Sequence, residues 1–532
     1  MTPEQPGEVT ARRAPRGGIV RAATLLIALT AVSQVLGFVR DAVIAAVFGI
    51  GAALDAYLVA QSVMNLVLAL VAGAVARAVV PPVSRAVAAG EPERADRTVR
   101  SVLTLSTVVL LAGSLLAYAG AGQVVTVLAP GFDAATADLA VRLTRIVLGA
   151  ALFVAATDVL AAACQAHGRF FASGVQGVPF NLAVIAAAVW AGPRFGAEAL
   201  AAGFVVGSAA RLVVQLPAAR AAGLRLRPRL GLRDPDVREV LRLTPPLLVG
   251  SAVLNVNTLV DRAVGSARGE GVITALSLGF RVVHLVDALL VVTVVAALYP
   301  AFSAVGGPEQ RAELRGLVDR TTRALLALLV PVTVALVVLA RPVVQLLFGR
   351  GDFDAAAVTA TATAVAFSAA SVLGIAVRST LSRAFLAVGD SRTPTVVAVV
   401  AMVVNVAGDL TLGVAYGIPG LAGSTALSLV LGAVLSVVLL ARRHAALSPR
   451  ALAATAARTG AAGGLAGLAA AGVLAAWVPG GTGTVAAVLQ VAVGTAVLGV
   501  LHTAGVVLLR GAEVTDLTAV VGARLRRGRR RS

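Results

Sequence analysis

Lysine is missing from this 532-residue chain, so all 45 of its basic side chains are arginines. Set beside its abundant alanine, valine and glycine, that absence reads as a GC-rich coding bias rather than as chemistry. Charge of either sign is scarce: 13% of residues, against about 25% in an ordinary soluble domain. The single cysteine, Cys164, excludes an internal disulfide and any cysteine-rich metal site, and is expected as a buried thiol in an apolar helix. The four histidines, His167, His284, His444 and His502, are scattered, and no HExxH, GxSxG or GxxxxGK[ST] motif occurs. With no catalytic constellation, the chain is not expected to be an enzyme. Aromatic residues make up only 4%, which counts against a cavity built for cationic drugs.

Apolar residues are what the chain has in excess. They form 58% of it, with a mean hydropathy of +0.92, and they come in runs of about 20 residues, enough to cross roughly 30 Å of hydrocarbon. Hydropathy marks about fourteen spans. The first six are 20–39, 54–78, 101–128, 138–163, 172–192 and 196–218. The next six are 241–265, 272–302, 321–348, 357–386, 393–414 and 418–441, and the last two are 452–477 and 484–509. The expected fold is an all-α polytopic membrane protein: two six-helix lobes plus two C-terminal helices. The polar start leads into a first helix without an A-x-A-type cleavage site, so that helix is expected to be retained rather than removed as a signal peptide.

The formal charge of +19 would point to nucleic acid in a soluble protein, but here topology explains it. With the N-terminus inside, the inner segments hold Arg12, Arg13 and Arg16, then Arg85, Arg94, Arg97 and Arg100. Arg169 follows, then the run from Arg220 to Arg238, then Arg311, Arg315 and Arg320. Arg383, Arg392, Arg442, Arg443 and Arg450 come next, and the tail from Arg524 to Arg531 is last. The outer loops receive only Arg40, Arg194, Arg262, Arg268 and Arg350. That alternation obeys the positive-inside rule and requires an even number of spans. The expected topology is multi-pass, with both termini cytoplasmic. The expected division is a basic N-terminus (1–19), an N-lobe (20–218), a basic linker (219–240), a C-lobe (241–441), two further helices (442–509) and a basic tail (510–532). The tail reads as an anchor on anionic membrane lipids, about 1 kcal/mol per residue, with no nucleic-acid partner.

Ser33 to Asn65 is the most informative stretch, because Gln34, Arg40, Asp41, Asp55, Gln61 and Asn65 interrupt two otherwise apolar helices. An ionisable side chain in a membrane costs a few kcal/mol and faces a cavity or a partner. Further polar residues, among them Arg142, Arg145, Asp158, Asn181, Arg211, His284 and Arg378, fall inside spans; each serves either function or helix packing. Two groupings stand out. Arg40 and Arg281, one from each lobe, could meet an anion between the lobes, since the guanidinium fork matches phosphate oxygens. Asp41 and Asp55 would orient them and limit repulsion. Asn405 and Asp409, spaced i and i+4 on one helix face, form an all-oxygen set with Asp261 and Thr425, suited to a hard cation. An interhelical pair of Asp409 with an arginine is the equally weighted alternative.

The stretch SQVLGFVRDAVIAAVFGIGAALDAYLVAQSVMNLV resembles the opening signature of the MurJ/MviN family, the lipid II flippases of the MOP superfamily. LAPGF (128–132), GRFFASGVQGVPFN (168–181), NVNTLVDRAVGSARGEGVITAL (255–276), LYPAFS (298–303), LFGRGDFD (347–354) and RAFLAVGDSRTPTVVAVVAMVVNVAGDLTL (383–412) follow in the same order. The resemblance covers roughly residues 20–445. It implies a two-lobe, alternating-access transporter that moves an undecaprenyl-pyrophosphate-linked peptidoglycan precursor to the outer leaflet. The head group would sit in a cationic cavity and the lipid tail in a groove formed with the last two helices. It places Arg40, Asp55 and Arg281 at cavity positions; with Asp41 and Asn65 these make up the expected substrate-binding set. It places Asp261, Asn405, Asp409 and Thr425 around a coupling Na⁺, with no other cofactor, and cell-wall synthesis proteins would be partners. The chain departs from the family at Gln34 and Leu68, where arginines are frequent, and at Phe280, where an aspartate is. A flippase for another polyprenyl-linked glycan, a MATE-like cation-coupled drug antiporter and a non-transporting scaffold are the rival readings.

Overall fold

The computed structural model describes residues 16–69, 72–291, 311–477 and 483–509. Most of the basic N-terminus, the LYPAFS motif and the arginine-rich tail therefore lie outside the described residues. The first half contains α1 (Arg16–Phe48), α2 (Ala52–Ala69), α3 (Ala72–Ala88), α4 (Pro92–Ala119), α5 (Ala121–Leu128), α6 (Ala134–Leu148), α7 (Ala150–Ala166), α8 (Phe171–Val175), α9 (Gly177–Ala186), α10 (Gly192–Phe195) and α11 (Ala197–Ala221). The second contains α12 (Pro235–Ser266), α13 (Val272–Val286), α14 (Arg311–Val338), α15 (Ala340–Phe348), α16 (Ala355–Ser368), α17 (Ser371–Ala387), α18 (Arg392–Gly408), α19 (Val414–Tyr416) and α20 (Ile418–His444). α21 (Pro449–Trp477) and α22 (Thr484–Leu508) close the chain. Among the described residues there is no strand.

Among the described residues, twelve helical stretches are long and apolar enough to cross a membrane. The two other expected spans correspond to α12, which is 32 residues long, and to the shorter apolar α13, beyond which the chain leaves the described residues. Helix starts follow local chemistry. Asp133 accepts from the Thr136 and Ala135 amides to cap α6, and Asp354 accepts from Ala357 N at 2.7 Å to cap α16. Asp234 caps α12, with Pro235 in the first turn where its missing N–H costs nothing.

The first helix differs from the hydropathy reading. Charge at Arg40 and Asp41 ended the apolar run at residue 39, yet α1 continues to Phe48, where Gly49 (φ +62°) turns the chain. Arg262 likewise lies within α12. Arg40 and Arg262, assigned above to outer loops, are thus side chains of membrane helices.

Packing follows the small residues. One apolar cluster joins Leu54, Tyr57, Leu143, Phe180 and Leu200 in the first half, and another joins Leu278, Leu329, Phe348 and Val372 in the second. α1 contributes to both: Ile44 packs in the first, while Ala45, with Phe38 and Ala42, packs in the second. Gly463 and Gly467 bring α21 against Val330 and Val334 of α14, too closely for side chains of their own. Around this body Leu116, Trp190, Leu468 and Val485 are each more than 70% exposed. Such apolar surface would be untenable in water and is the face turned to lipid.

Candidate functional site: an arginine–carboxylate centre between the two halves

α1 and α13 meet at Gly37, where a Cβ would stand 3.4 Å from Arg281 Nη2. One turn away, Asp41 accepts from two guanidinium groups. Its Oδ1 takes Arg40 Nη2 at 2.6 Å and Nε at 2.9 Å, and its Oδ2 takes Arg281 Nε at 2.6 Å. Arg40 Nη1 also donates to Asn181 Oδ1 at 3.1 Å, and Asn181 is fixed in turn by donating to the Ser33 carbonyl. The Phe180 ring lies against the Arg40 guanidinium, 5.5 Å from centroid to Cζ. Arg40, Asp41 and Arg281 line a cavity of about 200 Å³ with Tyr57, Gln61, Thr274 and Ser277. Two arginines from distant parts of the chain thus share one carboxylate, and the trio keeps a net positive charge. The Arg281 side chain is 37% exposed and Arg40 19%, so both can reach an incoming anion.

Asp55 takes another place. It is 1% exposed, and both its oxygens are engaged: Oδ2 accepts from Gly271 N at 2.7 Å, and Oδ1 from Thr274 N at 2.8 Å and Thr274 Oγ1 at 2.6 Å. A carboxylate of α2 thereby caps the first turn of α13, where the helix dipole favours negative charge. Two further straps join the same ends. Asp352 N donates to the Ala46 carbonyl at 2.8 Å, and Gly131 N to Ser266 Oγ at 3.2 Å. Gly351 (φ +61°) and Gly131 are required there, since a Cβ on either would overlap the facing backbone. Asn65 is exposed on α2 and is not among the residues lining the cavity.

Behind Arg281 a second cavity of about 530 Å³, lined also by Ser277, runs into the second half. Asp261, Asn405 and Thr425 line it, and Asp409 lies behind Asn405 at the start of a π-helical turn, Asp409–Gly413. Such turns are frequent at functional sites. Asn405 Nδ2 donates to both Asp409 oxygens at 3.2 Å and lies 3.4 Å from Thr425 Oγ1, while Ser424 Oγ donates to Asp409. Asp261 faces Asp409, and its Oδ1 is buried without a hydrogen-bond partner. Two facing carboxylates with an orphaned buried oxygen fit a small cation. The four oxygen-bearing residues expected to gather do gather, and the partners of Asp409 are Ser424, Asn405 and Asp261.

Sequence reasoning missed Ser424 and Arg262. Ser424 is adjacent to Thr425 and no more polar than many helix serines. Arg262 donates to Ser277 Oγ at 2.7 Å and the Ile273 carbonyl at 3.2 Å, between the Asp55 clamp and Asp261. Its signal, an arginine beside Asp261, was spent on loop topology.

Fold and site together define a class: a polytopic helical membrane protein with a charged centre between its two halves. A solved structure entitled "Lipid II flippase MurJ, inward closed conformation" superposes with a TM-score of 0.76 at 21% identity, covering 91% of this chain and 99% of that one. An inward-facing multidrug resistance MATE family transporter of the MOP superfamily superposes at 0.60 and 16%, covering 78% and 95%. The chain belongs to the lipid II flippase MurJ family, whose sequence model matches residues 44–490. The lipid II flippase MurJ of Burkholderia cenocepacia is 29% identical over 433 residues, 79% of this chain and 83% of that protein.

Proposed function

We propose that this protein is an inner-membrane flippase that carries lipid II, an undecaprenyl-pyrophosphate-linked cell-wall precursor, from the inner to the outer leaflet by alternating access. The observation that carries the reading is the convergence of Arg40 and Arg281, from opposite halves, on Asp41 in a cavity. A pyrophosphate offers the same paired acceptors as that carboxylate, with more charge. It would displace Asp41 and bridge the two guanidiniums, each charge-assisted bond contributing about 1.5–3 kcal/mol. Asp41 takes both guanidiniums back once the head group leaves, so the empty protein does not hold two bare cations face to face.

The two lobes would be residues 20–218 and 241–441, with both termini cytoplasmic. The straps at Asp55, Ala46 and Gly131 would then close the outer side, leaving the head group to enter from the cytoplasm while its tail stays along the last two helices. Asp261, Asn405, Asp409 and Thr425 would hold Na⁺, which supplies a positive charge between facing carboxylates. Binding at that set would favour one arrangement of the lobes over the other. The membrane potential adds about 2.3 kcal/mol per charge per 100 mV. Cell-wall synthesis proteins would meet the cytoplasmic or outer loops.

Vesicles containing the purified chain and either lipid II or a polyprenyl-pyrophosphate glycan without the peptide test the substrate. Faster flipping of lipid II supports the reading; equal or faster flipping of the peptide-free lipid, or of neither, contradicts it. Flipping rates indifferent to Na⁺ and to Asp409→Ala would remove the cation from the mechanism.

A further inference from the structure

Phe180 of α9 has a second guanidinium against its ring. Arg211 of α11 lies 5.8 Å from the centroid, beside Arg40 at 5.5 Å. Its ion-pair partner is Asp158 of α7, at 3.7 Å from Nη2 to Oδ1, too long for a hydrogen bond. Its Nε is buried with no acceptor. An arginine in mid-membrane that is so loosely held needs a reason.

Neither side chain faces lipid. α11 shows its exposed face at Ala202, Val206, Val213 and Pro217, whereas Arg211 stands in the row of Gly207, Ser208 and Gln215, all buried. α7 has no fully exposed residue from Ala150 to Cys164, and Asp158, with 33% of its side chain open, turns to Arg211. Depth sets the order along the path. Arg211 lies ten residues from the cytoplasmic end of α11, about 15 Å, and Arg40 eight residues from the outer end of α1, about 12 Å. Arg211 is therefore nearer the cytoplasm.

We propose that Arg211 is a second anion-binding arm of the head-group site, the one a pyrophosphate meets first on its way from the cytoplasm to Arg40. Asp158 keeps the arm in place and yields it to the arriving oxyanion, as Asp41 yields Arg40. Phe180 lies against both guanidiniums and keeps the two stations within reach of one head group. The inference rests on the lipid II reading above.

The test is the dependence of initial flipping rate on lipid II content, in vesicles carrying the full chain as wild type, Arg40→Ala, Arg211→Gln, Arg211→Lys or Asp158→Asn. Arg211→Gln is expected to raise the half-saturating lipid II content at least tenfold, and Arg211→Lys to recover part of that loss. Asp158→Asn is expected to lower it, because it frees the arm; a misfolded protein cannot bind more tightly. Wild-type half-saturation in both Arg211→Gln and Asp158→Asn, with Arg40→Ala impaired, overturns this inference alone. Asp158→Asn and Arg211→Gln shifting in the same direction also overturns it, since that is what a structural ion pair would do. A wild type that flips no lipid II overturns both readings.

Discussion

Asp41 decides how the central site behaves, because one carboxylate answers two guanidiniums. Replacing it by asparagine leaves both arginines without their counter-charge, and a pyrophosphate then binds without a competitor. Asp41→Asn is accordingly expected to lower half-saturating lipid II while slowing the maximal flipping rate several-fold, measured as a rate curve in vesicles. Away from the membrane, Asp390 accepts from Thr393 N at 2.9 Å and Thr393 Oγ1 at 2.6 Å and pairs with His444 Nε2 at 3.1 Å. The Thr393 bonds, and secondarily His444, hold its carboxyl well below the usual carboxylate range. A depressed folded-state pKa stabilises the protein above the unfolded value, about 3.9, and that stability is lost as pH falls through the folded value. Thermal unfolding below about pH 4 should therefore show a fall in stability that is reduced in Asp390→Asn. Arg40, Asp41 and Arg281 were legible in the sequence because an ionisable side chain inside an apolar run is costly unless it faces a cavity or a counter-charge. Ser424 and Arg262 were not, since a hydroxyl satisfies itself within any helix and an arginine near a span end also satisfies topology. Asn65 was conspicuous for the same reason as Arg40, yet α2 carries it outside the cavity lining.

Among the elements, α1 shows where hydropathy stops being informative. The index falls at Arg40 and Asp41, but the backbone ladder of a helix is indifferent to side-chain charge when the charges are paired, so α1 runs nine residues further than the span 20–39. Elsewhere hydropathy located the apolar helices but not all their ends: the span expected at 101–128 is Pro92–Ala119 and the one expected at 321–348 is Ala312–Val338, while 272–302 runs beyond the described residues, because bilayer thickness sets the apolar length and not where the helix backbone stops. The contacts that seal α1 and α2 to α13 and the Asp352 loop were invisible in sequence, because they depend on glycines at positive φ and on backbone donors. Gly351→Ala should strain a left-handed residue by about 1–2 kcal/mol and push its Cβ into the Ala46 carbonyl. Its expected effect is a reduced disulfide yield between cysteines placed at Ala46 and Asp352; the native Cys164 is fully buried and does not interfere. Asp55→Ala leaves the Gly271 and Thr274 amides without acceptors, at about 1–3 kcal/mol for each buried group. It should lower the unfolding temperature in detergent and weaken the same crosslink, with Asp55→Asn intermediate.

At the scale of the molecule, the arginines that fixed topology and the arginines that form the site obey different rules. Those in alternate loops carry the orientation expected from the positive-inside rule, whereas Arg40, Arg211, Arg262 and Arg281 sit on membrane helices and each meets a carboxylate or hydroxyl partner. Charge at helix depth is costly unless it meets a cavity or a counter-charge, and on the reading proposed above the position of these four arginines would mark the transport path. The central claim is that one anionic head group replaces Asp41 between Arg40 and Arg281. It is tested most directly by measuring lipid II affinity of the purified chain against rising salt, for wild type, Arg40→Ala, Arg281→Ala and the double variant. The account predicts at least tenfold weaker binding for each single variant, a shallower salt dependence, and a double variant that loses less than the two single losses combined. Wild-type affinity in either single variant, or two losses that simply add, would contradict a head group shared between the halves.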